Sequence, residues 1–135
     1  MDQYVQRQST LVVRHSSGDG IVALVEIVSP GNKPSRFALR TSVQKAGTAL
    51  FRGYHLLVID LFPPGPRDPQ GIHGAIWEEI ADASYRQPSD KPLTLAAYDA
   101  GPPKTCYLEP AAVGDVLPEM PLFLRPGEYV PVPLQ

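Results

Sequence analysis

The stretch Ile21-Val22-Ala23-Leu24-Val25-Glu26-Ile27-Val28 is an apolar run broken by a single carboxylate. Ser29-Pro30-Gly31-Asn32-Lys33-Pro34 follows it at once and cannot prolong a strand. A run this short and this apolar reads as a strand covered on both faces, in the interior of a sheet. Period two puts Val22, Leu24, Glu26 and Val28 on one face, so Glu26 falls among aliphatic side chains. An ionised carboxylate there is costly unless a metal, a lysine or hydrogen-bond donors compensate. Glu26 therefore has two readings: a catalytic and metal-binding acid, or a structural carboxylate satisfied by loop amides or a lysine.

A second run, His55-Leu56-Leu57-Val58-Ile59-Asp60-Leu61, also carries an acid near its end. Between the two runs, Leu39, Val43, Ala46 and Leu50 recur at helical spacing, which predicts a helix from about Ser35 to Arg52, closed by Gly53. Strand, crossover helix, strand makes 21–28 and 55–61 parallel neighbours in one sheet. Leu56, Val58 and Asp60 share a face. If that is also the face of Glu26, the two acids approach the separation that holds one hard cation, magnesium or manganese. Such an ion would orient water and neutralise charge on a scissile phosphate.

Charge is unevenly placed around these acids. Residues 1–60 hold seven Lys/Arg against four Asp/Glu, and residues 61–135 hold five against ten. Lys33, Arg36, Arg40, Lys45 and Arg52 follow one another with no acid between them. Lys33, Arg36 and Arg40 are thus candidates to contact the phosphates of a nucleic acid or another phosphate-bearing substrate. The same charges equally describe a solvated helix face.

Elsewhere the chain is punctuated more than it is patterned. Ser9 to His15 reads as a strand that turns through Ser16–Gly20 and pairs antiparallel with 21–28. Asp68 and Pro69 look like the cap and first turn of a short helix ending near Asp82, with Ile72, Ile76 and Ile80 inward. His73 and Trp77 lie one turn apart on an adjoining strip and either line a site or pack together. There is no second histidine at ligand spacing, which disfavours zinc. Leu93–Asp99 and Lys104–Glu109 form a hairpin, with Cys106 in it as a small core residue rather than a nucleophile. Most of the 16 prolines come late, and the tail 117–135 mixes them with large apolar residues, so it is expected to be extended and laid over a surface.

The chain's 135 residues suit a single domain. One cysteine excludes an intrachain disulfide and fits a reducing compartment, so the expected location is cytoplasmic. The longest apolar run is too short for a bilayer, and no membrane association is expected.

The phrases Val25-Glu26-Ile27-Val28-Ser29-Pro30-Gly31-Asn32-Lys33, His55 to Leu61 and Leu117-Pro118-Glu119-Met120-Pro121-Leu122 resemble the bacterial domain-of-unknown-function family 4058, from about residue 10 to the end. More distantly, the Val-Glu-Ile-Val-Ser-Pro phrase is similar to the Uma2 family. That likeness implies a restriction-endonuclease-like PD-(D/E)XK fold: an α/β (α+β) domain with a mixed central sheet and a strand–helix–strand crossover. Glu26 would then stand as the acid of the (D/E)XK half-motif. Val28 occupies the lysine position, so Lys45, or less directly Lys33, would supply a migrated amine. The Pro-Asp half-motif has no clear counterpart: Asp2 has no proline before it, and Asp19 falls in the hairpin turn. The resemblance also implies a chain that begins inside the family domain, lacking its first helix and strand. An unpaired sheet edge would follow, inviting a partner or homo-oligomer.

Two functions are consistent with these residues. One is a divalent-metal-dependent phosphodiesterase or nuclease, with Glu26 and Asp60 as ligands, Glu26 and Lys45 catalytic, and Arg36 or Arg40 on phosphate. The other is a non-catalytic or degenerate α/β module, without cofactor, acting in assembly or protein interaction.

Overall fold

The computed structural model describes residues 10–16, 18, 20–29 and 33–135. Five strands form a mixed sheet in chain order: β1 (Thr10–Arg14), β2 (Ile21–Ile27), β3 (His55–Asp60), β4 (Leu93–Asp99) and β5 (Thr105–Ala111). β2 and β3 are parallel, and the other neighbouring pairs are antiparallel. α1 (Arg36–Phe51) is the crossover between β2 and β3, and α2 (Gly71–Ala81) lies between β3 and β4. The mixed sheet and the crossover anticipated from the two apolar runs are both present.

Local chemistry sets the limits of α1. Ser35 is extended, and its Oγ accepts from the Ala38 N–H at 3.1 Å, satisfying one of the first-turn donors. At the other end Gly53 adopts φ +88°, a conformation that suits glycine, and its N–H returns to the Leu50 carbonyl. Leu39, Val43, Ala49 and Leu50 are the buried face.

β3 and β4 are buried along their whole length, as central strands covered on both sides must be. One face of the sheet carries the helices. There Leu56, Val58, Ala96 and Tyr98 pack with Leu39, Val43 and Leu50 of α1 and with Ile72 and Ile76 of α2. The opposite face, with Ala23, Val25, Leu57, Ile59, Leu95 and Ala97, is covered by the tail. The tail is extended, as its composition implies, but it folds back into a hairpin of β6 (Met120–Arg125) and β7 (Glu128–Val132). Met120 and Leu122 are its buried anchors.

The hairpin turn is also fastened by polar contacts. Asp99, at the end of β4, accepts from the N–H of Gly101 at 2.9 Å and from the N–H of Gly127 at 2.7 Å. His55 Nδ1 accepts from the Ala100 N–H at 3.0 Å, which makes His55 a neutral ring, and burial holds its pKa below the usual histidine value.

Candidate functional site

Glu26 stands on the helix-bearing face of β2, opposite Thr10 of β1 and Val58 of β3. Thr10 Oγ1 donates to Glu26 Oε1 at 2.5 Å. From α1 above, Lys45 Nζ lies 3.8 Å from the same oxygen and donates to Thr10 Oγ1 at 3.3 Å. The structure therefore brings together the acid and the amine that the sequence put forward as a pair. The Lys45 side chain is 57% exposed and that of Glu26 is 21% exposed, so water screens their attraction, which is worth about 1 kcal/mol or less.

These residues edge a cavity of about 450 Å³ between α1 and the sheet. On the helix side it is lined by Ala38, Ser42, Ala46 and Ala49, whose short side chains do not fill the space above Leu24, Val28, Leu56 and Val58. Ile72 and Ile76 of α2 line it as well, and Phe37, 79% exposed, stands at its rim.

Asp60 shares the helix-bearing face with Glu26 but has different partners. It ends β3 and is buried. Its Oδ1 accepts from the Phe62 N–H at 3.2 Å, and its Oδ2 accepts from the Ile72 N–H at 3.3 Å and from Lys33 Nζ at 3.1 Å. Lys33 is itself nearly buried. Its ammonium lies 2.7 Å from Asp68 Oδ2 and donates to the Phe62 carbonyl at 3.2 Å. Burial raises the pKa of Asp60, and the Lys33 charge opposes that rise.

The start of α2 differs from the sequence expectation. Asp68 does not cap the helix; its Oδ1 accepts from the Gly65 N–H at 3.0 Å and closes the loop before it. Gln70 occupies the cap position without a side-chain bond to the helix, its Oε1 accepting instead from the Gln87 N–H at 2.5 Å, and α2 begins at Gly71, φ +79°. The side-chain acceptor at this end is Asp60, reaching across from β3 to the Ile72 N–H. Asp68 meets the helix through its backbone carbonyl, which accepts from the Gly71 N–H at 2.8 Å, while its side chain is taken up by Gly65 and Lys33.

Does this donor set suit magnesium or manganese? Glu26 is level with Val58, so Asp60 lies one strand over and two residues along, about 8 Å away between Cα atoms. Both oxygens of Asp60 are engaged, and an ammonium already lies between Asp60 and Asp68. Among the described residues no three His, Cys, Asp or Glu side chains are grouped so as to hold a metal ion. Asp60 is thus held by Lys33 and two backbone amides, while Glu26 is held separately by Thr10 and Lys45. Asp2 and Asp19 lie outside the described residues. Arg36 and Arg40 are exposed on α1.

His73 and Trp77 pack together, with ring centroids 5.8 Å apart, inside an aromatic cluster completed by Tyr85 and Tyr98. His73 Nδ1 and the Tyr98 hydroxyl share a hydrogen bond of 2.5 Å. Burial lowers the His73 pKa to about 4 and pushes the Cys106 thiol up to about 12, so the thiol stays protonated near neutrality.

Comparison of the chain with protein-family models, with curated proteins and with solved structures finds no match. No helix among the described residues is long and apolar enough to cross a membrane. Two participants escaped sequence reasoning. Thr10, a strand residue that relays between Lys45 and Glu26, gave no signal beyond its register. Asp68 gave a misleading one, because an Asp-Pro pair ahead of apolar residues is also how helices start.

Proposed function

We propose that this chain is a non-catalytic α/β module on a restriction-endonuclease-like frame, related to family 4058 and more distantly to Uma2, and that it acts through protein interaction. The observation that carries this reading is the Lys33 ammonium, 3.1 Å from Asp60 and 2.7 Å from Asp68. Asp60 is the acid that a metal site shared with Glu26 would need, and here lysine and two backbone amides complete its coordination. The interaction surface in this reading is the outer edge of β1, which among the described strands pairs only with β2 and presents Leu11 and Val12 to solvent.

A second reading is favoured by one contact. Lys45 beside Glu26 resembles the acid–amine pair of a (D/E)XK site with a migrated lysine. In that reading a magnesium- or manganese-dependent phosphodiesterase would use Glu26 and Lys45, with Arg36 and Arg40 on the phosphate.

Calorimetric titration of the metal-stripped protein with manganese separates the two, alongside Glu26→Gln. The interaction module gives no saturable binding in a folded protein. Saturable binding to the native chain that disappears in Glu26→Gln overturns it and calls for assays on nucleic acid.

A further inference from the structure

We propose that the cavity beneath α1 binds a small uncharged amphiphile, with an apolar body and one hydroxyl-type head that both donates and accepts. The inference goes beyond the interaction reading and does not rest on it.

The size and lining define the body. About 450 Å³ falls within the range of roughly 300–1,000 Å³ found for small-molecule sites. Its floor is aliphatic, from Leu24, Val28, Leu56 and Val58, and its roof is kept low by Ala46 and Ala49. Neither floor nor roof offers a charge, so the buried part of a ligand must be hydrocarbon. The position of Phe37 at the rim gives that hydrocarbon an aromatic cover.

The edge of the cavity defines the head. Glu26 and Lys45 both line it, and their charges cancel as a pair. A carboxylate head would gain Lys45 and be repelled by Glu26; an ammonium head would meet the reverse. An alcohol meets neither penalty. Lys45 Nζ donates to its oxygen, and its O–H goes to Glu26 Oε2, because Thr10 and Lys45 both approach Oε1. Hydrogen bonds to charged partners are the strong kind, and two at one head fix its orientation.

Three probes with the same body and different heads test this: octanol, octanoate and octylammonium, titrated into the full chain and followed by calorimetry. Octanol is expected to bind saturably, and each charged probe at least tenfold more weakly. Glu26→Gln leaves Lys45 alone at the edge and reverses the order in favour of octanoate. Lys45→Met reverses it in favour of octylammonium. Ala46→Leu fills the roof and abolishes octanol binding in a protein whose thermal midpoint is retained or raised. Absence of octanol binding to the native chain overturns the proposal, as does equal affinity for all three probes. Octanol binding that survives Ala46→Leu in a folded protein overturns it too. If Ala46→Leu does not fold, the head-group reversals in the other two variants decide the matter.

Discussion

His73 is a buried residue whose environment can be read by titration below neutral pH. It is 1% exposed, bonded to Tyr98 and flanked by Trp77 and Tyr85. Its folded pKa of about 4 lies below the ordinary 6.5, so between those values the unfolded chain binds the proton and the folded chain does not. Stability from keeping this ring neutral is present above pH 6.5 and is lost as pH falls toward 4, a total of about 3 kcal/mol. His55, also lowered, works in the same direction, whereas Asp60, raised, favours the fold as pH falls. A difference between variants isolates the one group. Urea unfolding at pH 7 and pH 4.5 is expected to show a larger loss for the native chain than for His73→Gln, by about 2 kcal/mol; parallel losses would refute the assignment. The residues around Glu26 were legible because strand period fixed its face and helix period brought Lys45 over it. The Lys33–Asp60–Asp68 contacts were not, since the paths of two loops, those of Lys33 and Asp68, set them and no periodicity acts across loops.

At the scale of elements, the hairpin β6–β7 shows how a proline-rich tail becomes structure. Prolines 121 and 131 face each other across its register, and Met120 and Leu122 supply the inward side chains. Extended geometry was readable from those prolines; the return of the chain rests on the Pro-Gly pair of Arg125-Pro126-Gly127-Glu128, with Gly127 at φ +76°, a tight-turn signal that stands among many other prolines. The docking is close at one place. A Cβ at Gly101 would lie 2.6 Å from Pro126 Cβ and 2.9 Å from Pro126 Cγ. A proline ring cannot rotate away, so Gly101→Ala must push the hairpin turn off the sheet and stretch the bond from Gly127 to Asp99. The expected cost is about 1–3 kcal/mol in equilibrium unfolding, with faster amide exchange in 120–132 than in β3. Unchanged stability and exchange would show that the turn does not bear on Gly101 as closely as the contact implies.

Among the described residues, the two edge strands of the sheet differ in their protection, and this bears on how the chain meets others. β5 carries Pro110 within the strand, which removes one outward donor and discourages a further strand. Its exposed Tyr107 is accompanied by Glu109, a residue pair suited to water. β1 has no proline among Thr10–Arg14, and Leu11 and Val12 are 60% and 47% exposed. An apolar, proline-free edge is the usual template for strand addition. The irregularity between Val13 and Arg14 twists only its far end, leaving Thr10 to Val13 in regular register with β2. If β1 is the docking edge, two copies should pair through it at high protein concentration, and a charge at Val12 should prevent that pairing. Light scattering across a concentration series is expected to show self-association of the native chain that Val12→Lys removes without lowering the thermal midpoint. A native chain that stays monomeric throughout would exclude self-pairing through β1. Self-association unchanged in a folded Val12→Lys protein would move the contact to another surface, with the exposed Phe37 and Phe51 of α1 the next to be substituted.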